Sequence, residues 1–258
     1  MPLRDNLGKR MKEFYESVPK SKLMRRTPVA IRIDGKAFHT FTRGFVKPFD
    51  RVLMESMQET MLYLCENIQG CVFGYTQSDE ITLILIDYQN LETAAWFDYE
   101  VQKMCSVAAS MATMAFNKFF RQNVETYVRK PPFSADPLAN RYIAAVDKGA
   151  MFDARCFNIP REEVCNLVYW RQLDASRNSI QMVAQSKFSH KELQGKSCAE
   201  LQEMLMATYG INWNNYPIDC KRGSACVRDG EGWIVDTEMP ILRGEERSYV
   251  NSRILFEE

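Results

Sequence analysis

An α+β fold follows from three observations on the 258-residue chain. Short alternating, β-branched runs recur at 29–33, 71–75 and 81–86, and they read as strands. Two longer segments, 50–67 and 91–123, carry apolar residues three and four apart, the period of a helix facing a core. From Arg161 onward the helical period dominates. With a further strand at 154–159, closed by Pro160, the order is βαββαβ. That is a ferredoxin-like unit with helices on one face, followed by a mostly helical C-terminal part. The expected division is 1–160, an N-terminal helix plus the βαββαβ unit, and 161–258, a helical and hairpin portion packed on it.

Taken in order, residues 5–17 place Leu7, Met11, Phe14 and Tyr15 at helical spacing, and Pro19 stops the run. Lys20, Lys22, Arg25 and Arg26 follow, either as a solvated face or as phosphate contacts. The first strand ends at Asp34-Gly35. Asp50 is placed to N-cap the helix running to Asn67, with Leu53, Met57, Met61 and Leu64 inward. Gln69-Gly70 ends it, and the next two strands meet at a hairpin turn, Gln77-Ser78-Asp79-Glu80. The second helix carries Phe97, Val101, Met104, Cys105, Ala108, Met111, Ala112, Ala115 and Phe119 on one stripe.

Residues 121–142, with Pro131-Pro132 and Asp136-Pro137, read as loop. The helix opening at Arg161 carries Val164, Leu167, Val168 and Trp170. Ser197 and Glu200 form a capping box for a helix over 198–209. Residues 226–228 and 232–235 pair about Asp229-Gly230, and 248–256 read as an edge strand or tail.

Composition narrows the function. Lys and Arg number 33 against 33 Asp and Glu, so a polycationic coat for nucleic acid is excluded, and any such contact is a local patch. The eight cysteines include no Cys-x-x-Cys pair and there are two histidines, spacings that do not suit structural zinc. The N-terminus has no apolar signal core, and no uncharged run reaches membrane-spanning length. A reducing cytoplasm with free thiols is the expected setting.

The chemistry gathers at two strand ends. If the strands share a sheet, Asp34 stands beside the hairpin that carries Asp79. Two such carboxylates can hold two divalent cations about 3.5–4 Å apart for in-line phosphoryl displacement, as in polymerase and cyclase palms. An all-oxygen ligand set suits Mg²⁺. Glu80 would be an auxiliary carboxylate. Backbone N–H groups after Gly35 can cradle a triphosphate.

The wording around these residues is more specific. Arg32-Ile33-Asp34-Gly35-Lys36-Ala37-Phe38-His39, then Phe45-Val46-Lys47-Pro48-Phe49-Asp50, then Tyr75-Thr76-Gln77-Ser78-Asp79-Glu80 resemble, in order and spacing, the tRNA-histidine guanylyltransferase family. Phe152-Asp153-Ala154-Arg155 resembles its Phe-Asp-Gly-Arg turn, and Trp170-Arg171-Gln172-Leu173-Asp174, residues 210–217 and Lys221-Arg222-Gly223 continue the match, so that it covers roughly residues 29–225.

The resemblance implies addition of nucleotides to the 5′ end of tRNA in the 3′–5′ direction, after activation of that end by ATP or GTP. It implies two Mg²⁺ ions on Asp34, Gly35 and Asp79, and catalytic roles for Asp34, Asp79 and Glu80. Gly35, Lys36, Ala37, Phe38, His39, Lys47, Ser78 and Lys103 would line the nucleotide. Arg32, Lys221 and Arg222 would contact RNA or triphosphate, and the assembly would be a homotetramer.

The match also departs from the family. The eukaryotic enzymes carry His-Ile-Asn-Asn-Leu-Tyr-Asn where this chain reads Ser176-Arg177-Asn178-Ser179-Ile180-Gln181. Bacterial, archaeal and phage-type guanylyltransferase-like members lack the same run. That favours template-dependent repair of 5′-truncated tRNA. The alternatives are untemplated guanylyl addition to tRNA-histidine and a non-catalytic RNA-binding module. A diguanylate-type cyclase is disfavoured because its Gly-Gly-Asp/Glu-Glu-Phe hairpin is absent.

Overall fold

The computed structural model describes residues 6–129, 136–230 and 232–255. The chain opens with α1 (Asn6–Met11), continued by a wider π-turn at Lys12–Glu16. Asp5, expected in this helix, lies outside the described residues. Leu7, Met11, Phe14 and Tyr15 do share the helix, yet all four are exposed. The basic stretch that follows is committed to the protein itself. Lys22 and Arg25 bond Asp98, and Arg25 also meets the fully buried Asp87 at 2.5 Å.

The strand at 29–33 becomes β1 (Val29–Gly35), followed by a single-turn α2 (Phe38–Phe41) and by α3 (Arg51–Asn67). Asp50 caps α3 as its position predicts: its carboxylate accepts from the Leu53 N–H at 3.0 Å, the Val46 N–H at 2.9 Å and the Tyr142 hydroxyl at 2.7 Å. β2 (Cys71–Gln77) and β3 (Glu80–Leu85) form the expected hairpin. The next helix, α4 (Val101–Val128), starts later and runs further than the apolar stripe suggested. Leu91 is 90% exposed, and a 3-10 turn with Phe97 and Asp98 at positive φ precedes the helix. Phe116 and Phe120 are buried, while Phe119 sits at the rim.

Part of the expected loop at 121–142 is helical. α4 takes its first residues, and α5 (Pro137–Lys148) takes its last. Pro137 begins α5 rather than breaking it, because a proline at the first helical position loses no hydrogen bond. Asp136 caps it by accepting from the Leu138 N–H. Pro131 and Pro132 lie outside the described residues. β4 spans Phe152–Asn158, so the Phe152-Asp153-Ala154-Arg155 segment lies within a strand and is not a turn.

The remaining elements are α6 (Arg161–Gln185), α7 (His190–Leu193), α8 (Cys198–Tyr209), α9 (Ile218–Arg222), β5 (Ser224–Asp229), β6 (Gly232–Asp236) and α10 (Ser248–Asn251). The Ser197–Glu200 capping box at α8 is present, as is the β5–β6 hairpin. Where an edge strand or tail was expected, α10 and its following turn bury Val250 and Ile254 instead. Phe256 lies outside the described residues.

All six strands join one sheet in the order β4-β1-β3-β2-β5-β6, and every pairing is antiparallel. Register assigns the faces, because directly opposed residues point the same way. Ile31 and Ile33 lie opposite Leu83 and Ile81, and this face packs under α3 and α4. Ala30 lies opposite Ile84 on the other face, which α6 covers with Val164, Cys165 and Val168. The sheet is therefore covered on both sides: α3 and α4 share one face, and the C-terminal part supplies the cover for the other. Among the described residues no helix is long and apolar enough to cross a membrane.

Candidate active site

The hairpin between β2 and β3 is bound directly to β1. The Gly35 N–H donates to the Asp79 carbonyl at 3.0 Å. Ser78, at the turn, adopts φ 52°, and its hydroxyl donates to the Asp79 carboxylate at 3.0 Å. Asp34 lies opposite Glu80 on β3 and opposite Asp153 on β4. Four carboxylates thus converge at one end of the sheet.

Both central carboxyls titrate above the ordinary aspartate range. Burial raises Asp34 most, followed by the charges of Glu80 and Asp153, with Arg155 and Arg32 opposing. Burial likewise raises Asp79 most; the Ser78 hydrogen bond opposes it, and the charges of Asp34 and Glu80 add to the rise. Glu80 and Asp153 have arginine partners, whereas Asp34 and Asp79 have no ion pair among the described residues. Among the described residues no group of three or more His, Cys, Asp or Glu side chains is arranged to hold a metal ion. Two carboxylates fit Mg²⁺ nonetheless, because that ion keeps several waters and takes substrate phosphate oxygens as ligands.

Glu80, expected as an auxiliary carboxylate, is held by two arginines. It is buried, and Arg171 of α6 spans both its oxygens at 2.7 and 2.8 Å while Arg32 adds a bond at 2.7 Å. Its oxygens are committed to guanidinium groups, so it holds the hairpin rather than facing a substrate.

Beside Asp79 opens a cleft of about 470 Å³ lined by Gly35, Ala37, Phe38, His39, Lys47, Ser78 and Asp79, with Met182 of α6 at its edge. Most of the expected nucleotide neighbours meet here. Asp34 stands one residue behind Gly35, and Lys36 points to solvent off the lining. The N–H groups of Gly35 and Lys36 are already taken, by the carbonyls of Asp79 and Met151. Those of Ala37, Phe38 and His39 have no acceptor among the described residues. Ala37 turns the chain at φ 54°, a left-handed conformation that costs an alanine about 1–2 kcal/mol.

Gly35 is required for space. A Cβ there would lie 2.2 Å from the Phe38 ring. That ring packs on Phe41, Phe116 and Phe152 at centroid distances of 5.1, 5.5 and 5.2 Å, and this aromatic wedge seats the loop.

Four further expected ligand contacts lie outside the lining of this cleft. Lys103 lies near the start of α4 with its ammonium 4.9 Å from the Phe97 ring. Thr113 is the α4 residue level with the site, since its hydroxyl accepts from the Phe152 N–H. Lys103 is ten residues earlier, about 15 Å along the helix axis. Arg32 is bound to Glu80 and lies over Trp170. Lys221 is buried, and its ammonium donates to the Asn214 carbonyl at 2.5 Å. Arg222 has its Nε buried, and its carbonyl accepts from the Tyr75 hydroxyl.

Sequence reading missed Asp153 and Arg171 as members of this site. The signal for Asp153 is the β1–β4 register, and for Arg171 the packing of α6 across the β3 end. Neither is visible from spacing along the chain.

Comparison with known proteins places the chain in a family. The family model described as Thg1, tRNAHis guanylyltransferase, matches residues 8–160. A solved bacterial tRNA(His) guanylyltransferase (Thg1)-like protein in complex with ATP is 43% identical, with TM-score 0.84 over 96% of this chain and 99% of that one. A bacterial Thg1-like protein in complex with GTP is 38% identical, with TM-score 0.79 over 98% of this chain and 100% of the other. The tRNA(His) guanylyltransferase of Saccharomyces cerevisiae is 27% identical over 79% of this chain and 83% of its own length. This chain belongs to the Thg1, or tRNAHis guanylyltransferase, family of nucleotidyltransferases.

Proposed function

We propose that the chain extends the 5′ end of tRNA in the 3′–5′ direction, copying the opposite strand, and so repairs 5′-truncated tRNA. The observation that carries this reading is Asp79 lining a cleft with open backbone donors and Lys47, with Asp34 one residue behind Gly35 and both carboxyls held above the normal aspartate pKa. The strand order β4-β1-β3-β2, with α3 and α4 on one face, supports a ferredoxin-like palm beneath it. The ATP and GTP complexes of similar bacterial proteins support both nucleotides as substrates.

In this reading Asp34 and Asp79 hold two Mg²⁺ ions, with the Gly35 backbone beside them. Bound there, Mg²⁺ neutralises triphosphate charge and lowers the pKa of an attacking hydroxyl. The Ala37, Phe38 and His39 N–H groups and the Lys47 ammonium orient the triphosphate. The 5′-phosphate of the RNA first takes a nucleotidyl group with loss of pyrophosphate. The 3′-hydroxyl of an incoming nucleotide then displaces the activating nucleotide. The buried pair of Glu80 and Arg171 keeps Asp79 in register. A cytoplasmic homotetramer completes the reading, carried by the family resemblance.

Untemplated guanylyl addition to tRNA-histidine is the second reading, and the family named for that activity supports it. A binding module without catalysis is disfavoured, because Asp34 and Asp79 at the strand ends repel RNA phosphate unless metals are bound there. The deciding experiment supplies a 5′-monophosphorylated tRNA lacking its first nucleotide, with ATP, Mg²⁺ and each nucleoside triphosphate in turn. Extension by only the complement of the opposing base is expected. Addition of G whatever that base is would favour the second reading, and no extension would overturn both.

A further inference from the structure

A second cavity lies one residue along α6 from the catalytic cleft. Met182 edges the cleft, and its neighbour Gln181 lines a pocket of about 450 Å³ closed by α7 and α8. That volume falls in the range of small-molecule sites, roughly 300–1,000 Å³. Its floor is apolar: Leu201 is 3% exposed, and Phe188 is fixed edge-on against Tyr209 at 5.2 Å. Its rim carries the carboxamides of Gln181, Gln185 and Gln194 and the imidazole of His190. None of these four polar groups has a hydrogen-bond partner among the described residues. The capping box of Ser189 and Glu192 pins α7, so the walls are ordered before any ligand arrives.

We infer that this pocket binds a nucleobase, stacked against Phe188 and read along its edge by the glutamine amides. Each carboxamide presents a donor and an acceptor, the pattern that matches a base edge. A flat heterocycle of either purine or pyrimidine type suits an aromatic wall. Local charge agrees: Lys187, Lys191 and Lys196 fall in the segment that forms the pocket, on a chain of zero formal net charge, while Glu192 is engaged with Ser189 and Glu200 with Ser197 and Lys196. Lys196 lines the pocket in an exposed ion pair with Glu200 at 3.5 Å, a weak contact that an attached phosphate can replace.

The base can come from a free nucleoside triphosphate or from an unpaired residue of the tRNA. The inference rests on the nucleotide-transfer reading of the neighbouring cleft, which places both ligands within reach of α6.

Photolabelling of the full chain separates these sources. One arm uses 8-azido-ATP, and the other uses tRNA transcribed with 4-thiouridine. Both are followed by peptide mapping. Adducts at 185–201 with 8-azido-ATP assign a free nucleotide, and adducts there with tRNA alone assign an unpaired RNA residue. Labelling is expected to fall about tenfold in the Gln181→Leu/Gln185→Leu double variant, whose positions are exposed and leave the melting temperature unchanged. Adducts confined to 35–48 and 78–79 with both probes would overturn the pocket while sparing the cleft. Labelling at 185–201 that is unchanged in the double variant would overturn base recognition by the amides. The extension assay on the wild-type chain reads the transfer function separately.

Discussion

Arg171 grips Glu80 through both carboxylate oxygens, Nε at 2.7 Å and Nη2 at 2.8 Å, and both side chains are buried. The same guanidinium reaches Asp174 at 3.0 Å, and its face covers Trp170. The pair ties α6 to the hairpin that carries Asp79. Removing Arg171 takes two of the three guanidinium bonds from the buried Glu80 and leaves only Arg32, at a cost of about 1.5–3 kcal/mol. Arg171→Ala is expected to lose that much stability in urea denaturation. Arg171→Lys keeps the charge but loses the two-point grip. It should fold, with kcat for 5′ extension down roughly 10–100-fold, the scale for groups that orient metal ligands. Its KM for nucleotide should be little changed.

The raised pKa values of Asp34 and Asp79 predict a stability gain on neutralisation. A carboxyl whose folded-state pKa exceeds its unfolded value favours folding less as pH rises through the interval between the two. Above the folded value the full penalty applies. In EDTA at neutral pH, Asp34→Asn and Asp79→Asn should therefore melt higher than the wild type. The gap should close as pH falls toward the ordinary aspartate value of 3.8.

Gly35→Ala drives a methyl group into the Phe38 ring. Overpacking of this kind costs about 1–3 kcal/mol. Displacement of Phe38 also moves the Ala37–His39 donors. The expected result is a raised KM for ATP alongside the lower melting temperature, measured by steady-state kinetics and calorimetry.

Lys47 and Lys103 should separate. Lys47 lines the cleft, so Lys47→Ala should raise the nucleotide KM roughly 10–100-fold, the worth of a charge-assisted hydrogen bond. Lys103→Ala, at the far end of α4, should change it less than about twofold in binding of labelled ATP.

Much of this arrangement was legible in the chain. Alternation located β1, β2 and β3, Asp50 announced α3, and Asp34 and Asp79 marked the candidate site before any register was known. Long-range pairing was not legible. Asp153 joins the cluster only through β4, and Glu80 is held by Arg171 only because α6 packs across the β3 end. Proline misled at 137, where it begins a helix, and apolar spacing misled at Leu91, which never meets the core. Burial of basic residues was not legible either: Lys221 and Arg222 read as RNA contacts in sequence, and packing draws the first inward and half-buries the second.

The central claim is that Asp34 and Asp79 together hold the divalent cations. Mn²⁺ binding measured by electron paramagnetic resonance, with ATP present and Mg²⁺ absent, tests it most directly. The account predicts two bound ions in the wild-type chain and loss of at least one in both Asp34→Asn and Asp79→Asn, with each variant still folded. Wild-type stoichiometry and affinity in both variants would contradict it.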